Sequence, residues 1–274
     1  MDTNQISDPV HAGRVLTIAG SDSGGGAGIQ ADIKAIAAMG GHASSAVTAI
    51  TVQNTKGVSD IHPVPDEIVV AQISAVLDDI GADAIKTGLL SSAALIKTVG
   101  HVLDEKASQI PLIVDPVMVA TSGDKLIKDD AVEAIRDILL PKAYLVTPNI
   151  PEAEALAGGK ITDLETQIGA GEELIELGAQ AALIKGGHLT GNVMRDVLIS
   201  PSGMNIMERP RIDTRHTHGT GCTLASAIAA LLAQGYSLAD AVQSAGDYLH
   251  EAIARAPGFG EGHGPIDHVW VLRG

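Results

Sequence analysis

Five stretches of the chain set polar, charged or glycine residues where a small ligand could be met. The first, Gly20-Ser21-Asp22-Ser23-Gly24-Gly25-Gly26-Ala27-Gly28, lies between an apolar run and a helix-period segment. Such a run lets backbone approach a ligand and presents amides at a helix start. A loop that needs glycine only to turn tightly would read the same way. Gly26-x-Gly28-x-x-Ala31 nearly fits a dinucleotide fingerprint, but that motif also needs an acidic residue after the second strand. Val52-Gln53-Asn54 stands there instead, and with no Walker A sequence a P-loop kinase is excluded.

The second stretch, His216-Thr217-His218-Gly219-Thr220-Gly221-Cys222-Thr223, runs into the apolar segment Leu224–Ala233. Amides of Gly219, Thr220, Gly221 and Cys222 are expected to converge on one point, with the helix dipole adding to their field. That is an anion hole suited to charge developing on a phosphoryl group in transfer. A helix cap alone accounts for a Thr or a Gly, but not for both glycines, the histidines and the lone thiol together. Asn149 and Glu152, at the start of a further helix, could hold Mg²⁺ through water, or simply cap that helix. Lys185 ends a strand before Gly186-Gly187 and could meet phosphate as a point charge, or be a surface Lys before a turn. Asp115 follows the run Leu112–Val114, where it could sit near a metal or cap a loop.

The elements needed to hold these residues alternate. Strands are expected at Arg14–Ala19, Ala46–Val52, Ala84–Thr87, Leu112–Val114, Leu145–Thr147 and Ala182–Ile184. Helices are expected around Ile29–Ala37, after an N-cap at Asp66, and over Ser91–Leu103, Asp129–Leu139, Pro151–Leu156 and Leu164–Leu177. Val58–Val64 pairs back across the turn Asn54–Gly57, a candidate lid. Val193–Ile199 and Asn205–Pro210 form a late antiparallel pair, and the helices Thr223–Ala233 and Leu238–Ala254 close the chain. Repeated strand–helix units with short loops imply an α/β fold: a three-layer, doubly wound, mainly parallel sheet with helices on both faces. Ligands in that architecture bind beyond the carboxyl ends of the strands. Four or five of these stretches are expected on that edge, and their coincidence favours phosphoryl transfer over scattered caps.

Composition narrows the partners. Of 274 residues, 45% are hydrophobic and 2% aromatic, so the core must be built from Ala, Val, Ile and Leu. A net charge of −15 argues against nucleic acid and anionic membrane surfaces as partners. A single cysteine, Cys222, excludes an intrachain disulfide and fits a reducing cytoplasm. Residues 1–13 carry no apolar signal-peptide core and are expected to be a disordered tail before one domain over 14–274.

The segments AGSDSGGGAGIQAD, TAITVQNTKGV, KTGLL, VDPVMVATSGDKL, TPNIPEAEAL, LIKGGH and THGTGCTLASAIAA resemble, in order and spacing, the bacterial hydroxymethylpyrimidine/phosphomethylpyrimidine kinases of thiamine biosynthesis. The resemblance implies a ribokinase-like fold, ATP with Mg²⁺, a homodimer, and two successive phosphorylations of an aminopyrimidine. It places Gly20, Asp22, Gln53 and Val117 at the pyrimidine, with Thr51 and Leu89 nearby. It places Asn149, Lys185, Thr217, His218 and Gly219 at the nucleotide, Glu152 and Asp115 at the metal, and Gly219 to Cys222 with Lys185 at the transferring group. Leu89 stands where many relatives carry Met, and Thr121 where a Lys is common. Ribokinases and most pyridoxal kinases have Asp in place of Cys222, so Cys222 is expected to be either a thiolate base, its pKa lowered by the helix N-terminus, or a small scaffold residue. Pyridoxal kinase, acting on a similar hydroxymethyl group, is the alternative function.

Overall fold

In the computed structural model, which describes residues 12–120, 123–124 and 126–273, the apolar runs become one nine-stranded sheet. In chain order the elements are β1 (Arg14–Asp22), α1 (Gly28–Ala38), β2 (His42–Asn54), β3 (Gly57–Pro63), α2 (Asp66–Asp79), β4 (Ala84–Thr87), α3 (Ala93–Lys106), β5 (Leu112–Val114) and α4 (Asp129–Ala134). There follow β6 (Leu145–Val146), α5 (Ile150–Ala157), α6 (Leu164–Glu176), β7 (Ala182–Ile184), β8 (Val193–Ser200), β9 (Gly203–Pro210), α7 (Thr220–Ala233) and α8 (Leu238–Ala254). Residues 1–11 of the expected tail, and Thr121, lie outside the described residues.

The strand order is β3-β2-β1-β4-β5-β6-β7-β8-β9. The six strands from β2 to β7 in that order are parallel, while β3 on one side and β8 and β9 on the other are antiparallel. The chain leaves β1 toward β2 and then returns to the other side of β1 as β4. That reversal opens a crevice at the carboxyl ends of β1 and β4, where α/β sheets take ligands.

Strand alternation sorts the core into two layers. Leu16 and Ile18 of β1, Ile85 of β4 and Val114 of β5 face α2 to α6. Val15, Ala84, Ile113, Leu145 and Leu183 face α1, α7 and α8. Because both faces are covered, these strands are short apolar runs. Helix α7 is apolar nearly all round, with ten of its 14 residues buried between the sheet and its helical neighbours.

One helix start differs from expectation. Asp66 is the first residue of α2; Pro65 occupies the cap position with φ −53° and no side-chain cap bond. A proline there presets the helical entry, and Asp66 is left to favour the helix dipole. Among the described residues no helix is long and apolar enough to cross a membrane.

Candidate active site

Two glycine-rich segments meet at the crevice. Asp22, at the end of β1, accepts the amides of Gly24 (2.8 Å), Gly26 (2.9 Å) and Ala27 (2.8 Å), curling the first loop around its carboxylate. His218 Nε2 donates to Asp22 Oδ2 at 2.8 Å, joining that loop to the segment before α7. Burial works against the ionised form, but the His218 hydrogen bond and the loop amides hold Asp22 below the usual carboxylate range. Asp22, expected at the substrate, thus has its bonds turned to the two loops.

The loops touch backbone to backbone. Gly219 caps α7 with φ +83°, and a Cβ there would lie 1.8 Å from Gly26 O. A Cβ on Gly26 would lie 2.4 Å from the His218 ring. No other residue type fits either place. Thr220, Gly221 and Cys222 are the first turn of α7 rather than the loop that the glycines suggested, and no side chain caps them. First-turn amides have no intrahelical acceptor, so this turn offers N–H groups and the positive end of the dipole to an anion.

Facing this turn are residues from the strand ends on the α7 side of the sheet. A Cβ on Gly221 would stand 3.2 Å from Lys185 Nζ and 3.7 Å from Asp115 Oδ1. Lys185 Nζ lies 3.4 Å from Asp115 Oδ1, and Thr147 Oγ1 lies 3.5 Å from the same oxygen. Asp115 is 1% exposed, and its Oδ2 has no hydrogen-bond partner. Burial opposes the charge on Lys185, but Asp115 and Glu152 hold its pKa above the ordinary value.

Asn149 and Glu152 form a reciprocal capping box on α5. Asn149 Oδ1 accepts the Glu152 amide at 3.0 Å, and Glu152 Oε2 accepts the Asn149 amide at 2.8 Å. Glu152 is nonetheless buried beside Lys185 and Asp115. Burial pushes its pKa up to about 7, against the pull of Lys185 and with the push of Asp115. Among the described residues no three His, Cys, Asp or Glu side chains gather as a metal cage. An unpartnered carboxylate oxygen with a second carboxylate nearby suits a cation that keeps its waters and binds mainly to phosphates, as Mg²⁺ does.

Cys222 is half-buried at this centre. Burial pushes its thiol up to about 12; Lys86 pulls it down, Asp115 and Asp32 push it further, and the Gly28 amide lowers it. The direction is opposite to the thiolate expected from the helix terminus.

The residues expected at the acceptor gather around β2. The single Thr51 hydroxyl proton is shared between Ser21 O (3.0 Å) and Gln53 Oε1 (3.1 Å), which orients the Gln53 amide; Gln53 Nε2 is 3.4 Å from His218 Nε2. A Cβ on Gly20 would be 3.3 Å from Leu89 Cδ2, so Gly20 and Leu89 are neighbours. Val117 packs partly buried beyond Asp115, and the Thr217 carbonyl accepts the Thr220 amide at 3.3 Å. The β2–β3 turn considered as a lid is tied down: Thr55 O accepts the His263 amide at 2.7 Å, and Lys56 pairs with Glu261.

Lys86 and Asp32 received no role from the sequence, although both lie in its recognised segments. Lys86 is wholly buried, 2.9 Å from Asp32 Oδ1 and 3.9 Å from Asp115 Oδ2. One signal was available: a lysine inside a strand covered on both faces must find a buried partner.

Comparison with known proteins bears on family and fold. A family model described as phosphomethylpyrimidine kinase matches residues 22–267. The chain is 49% identical over 95% of its length to a thiamine biosynthesis bifunctional protein of Geobacter sulfurreducens, of which it spans only 53%. It is 47% identical over 96% of its length to a hydroxymethylpyrimidine/phosphomethylpyrimidine kinase of Streptomyces coelicolor, of which it spans 97%. Its fold superposes on an ADP complex of Bacillus subtilis pyridoxal kinase with a TM-score of 0.88 and 34% identity, covering 96% of this chain and 99% of that one.

Proposed function

We propose that this chain, which belongs to the phosphomethylpyrimidine kinase family, phosphorylates 4-amino-5-hydroxymethyl-2-methylpyrimidine with ATP and then phosphorylates the monophosphate to the pyrophosphate. The observation that carries the reading is the uncapped first turn of α7 facing Lys185 and the half-satisfied Asp115 across the Gly221 gap. Cation, dipole and amides there share one focus, as a phosphoryl group in transfer requires.

In the mechanism, Gly20, Leu89, Val117 and Gln53 hold the aminopyrimidine. Gln53 offers both a donor and an acceptor to the ring edge, with Thr51 fixing which way the amide points. The hydroxymethyl oxygen attacks the γ-phosphorus and releases its proton to solvent, the bond to the bridging oxygen breaks, and ADP departs with that electron pair. The amides of Gly219, Gly221 and Cys222 receive charge on the transferring oxygens, with Thr220 joining them if it leaves the Thr217 carbonyl, and Lys185 neutralises the phosphates. Asn149, Thr217 and His218 border the nucleotide. Asp115 and Glu152 would hold Mg²⁺, which supplies charge neutralisation between the phosphates. In the second round the product phosphate is the nucleophile at the same place. A cytoplasmic homodimer completes the proposal. Exposed Ile50 and Val52, at 52% and 58%, supply an apolar patch on the β2–β3 side for a second copy.

The likeness to pyridoxal kinase keeps a second acceptor in view, since pyridoxal carries a similar hydroxymethyl group on a heteroaromatic ring. Purified protein with Mg-ATP should release ADP with the hydroxymethylpyrimidine and yield first the monophosphate and then the pyrophosphate by mass spectrometry. Phosphate appearing only on pyridoxal would replace the acceptor and leave the kinase. ADP release with neither acceptor would defeat both.

A further inference from the structure

Beneath the site a second charged layer has no part in the mechanism above. Lys86 is the third residue of β4, paired in register with Thr17 and Ile113. It shares the α7 face with Ala84 and is 0% exposed. Asp32 of α1, also 0% exposed, takes Lys86 Nζ at 2.9 and 3.2 Å, Thr17 Oγ1 as a donor at 2.5 Å and Ser226 Oγ at 2.7 Å. Four elements, α1, β1, β4 and α7, thus converge on one carboxylate that anchors one ammonium.

Stability does not account for this arrangement. A buried ion pair is often no better for folding than apolar residues of the same volume. The surrounding layer is mostly Ala, Val, Ile and Leu. What the pair does that an apolar pair could not is set a fixed positive charge 3.9 Å from Asp115 Oδ2. That oxygen has no hydrogen bond, while Oδ1 has only Lys185 at 3.4 Å and Thr147 at 3.5 Å. A carboxylate flanked by two ammonium groups but closely bonded to neither is compensated in charge and keeps one buried oxygen without a hydrogen bond.

We propose that Lys86, anchored by Asp32, is a positioning residue that holds the Asp115 carboxylate in place from behind, with Oδ2 available to the Mg-nucleotide. This inference rests on the reading of Asp115 given above. Lys86 touches no reactant; it acts through Asp115 as an outer-shell partner acts on a metal ligand.

The test is the charge-neutral double variant Lys86→Met with Asp32→Asn, in which the new amide can still bond both hydroxyls, its oxygen accepting from one and its nitrogen donating to the other. It is assayed on the full chain for kcat, acceptor KM and the Mg²⁺ concentration giving half-maximal rate. Losing an outer-shell partner costs about 10- to 100-fold in metal affinity or activity. The expected result is therefore a fall of that size in kcat, a raised Mg²⁺ half-saturation and an acceptor KM within about two-fold of wild type. A folded double variant with wild-type kcat and Mg²⁺ dependence would show a merely structural pair and overturn the inference. If the double variant does not fold, Thr17→Val with Ser226→Ala loosens the Asp32 anchor without removing a charge. It should raise the Mg²⁺ half-saturation with the acceptor KM unmoved, and an unaltered half-saturation overturns the inference equally. Asp115→Asn separates the two levels: no change in its Mg²⁺ dependence defeats the Asp115 reading itself, whereas a change there but not in the Lys86 variant defeats only the inference.

Discussion

Two opposing effects meet on the Cys222 thiol. The helix N-terminus, from which the sequence left open a thiolate base or a small scaffold residue, and Lys86, which only the structure brings near, both favour a thiolate. Desolvation, reinforced by Asp115 and Asp32, prevails instead and pushes the thiol up to about 12. A group in that state holds its proton at neutral pH and does not await one from the acceptor. Phosphoryl transfer tolerates this, because positioning and charge stabilisation carry most of the rate and the nucleophile's proton need not leave early. Cys222→Ser keeps a small side chain and removes the ionisable sulfur. Its kcat should stay within about ten-fold of wild type, with parallel profiles from pH 6 to 9. A loss of roughly 10²-fold, the size of general-base catalysis, together with loss of an alkaline rise in rate, would show that the bound nucleotide turns the thiol into a base.

At the scale of elements, the loop after β1 and the start of α7 interlock through glycines, and that contact makes a prediction. Gly219→Ala meets both a left-handed backbone and Gly26 O at 1.8 Å, so the two loops must part. Gly40→Ala has nearly the same φ, +81°, with nothing within 4 Å of the new Cβ. Both substitutions carry the left-handed strain of about 1–2 kcal/mol, visible as a similar first drop in Tm. Gly219→Ala should lose further stability and at least about 10²-fold in kcat, as when an oxyanion donor is removed, while Gly40→Ala keeps wild-type kinetics. Equal kinetics for the two would mean that the interlock does not shape the anion site. This interlock was half legible in the sequence. Glycine runs at the ends of apolar strands announced the loops, because buried parallel strands must be unbroken apolar runs. Nothing in either run said that the loops would touch each other. Asp32 and Lys86 were less legible still. Their pairing depends on which face of β4 turns to α1, 54 residues apart in the chain. Asn149 and Glu152 read equally as cap and as ligand, and the structure makes them a cap while burying Glu152 at the site. Asp66 was misplaced by one residue because Pro65 already supplies the helical entry.

At the scale of the whole molecule, the segment after α8 gathers the hairpin, the anion loop and the helical layer. His263 donates its amide to Thr55, and His218 donates its amide to Gly264 O at 3.2 Å. His268 packs under α7 with Nε2 3.0 Å from Thr223 Oγ1, while its carbonyl accepts the Tyr248 hydroxyl at 2.6 Å. Burial, then Lys34, pull the His268 pKa down to about 4; Asp267 raises it and His218 lowers it. The folded pKa lies below the unfolded value of about 6.5, so between pH 6.5 and 4 the unfolded chain binds a proton that the folded chain refuses. His268 therefore contributes full stability above pH 6.5 and loses it progressively as pH falls through the window to about 4. A gap of that width corresponds to on the order of 3 kcal/mol. Glu152 has the opposite sign over much of the same range. Its folded pKa, about 7, is above the ordinary carboxylate value, so protonation favours the folded state as pH falls. The wild-type slope is thus a difference, and only a comparison isolates one group. His268→Gln keeps an amide for Thr223 and cannot charge, so urea unfolding at pH 7 and pH 4.5 should show a smaller acid loss than in wild type. Identical losses in the two proteins would mean that His268 escapes its burial before it titrates, with the C-terminal segment peeling from α7 ahead of global unfolding.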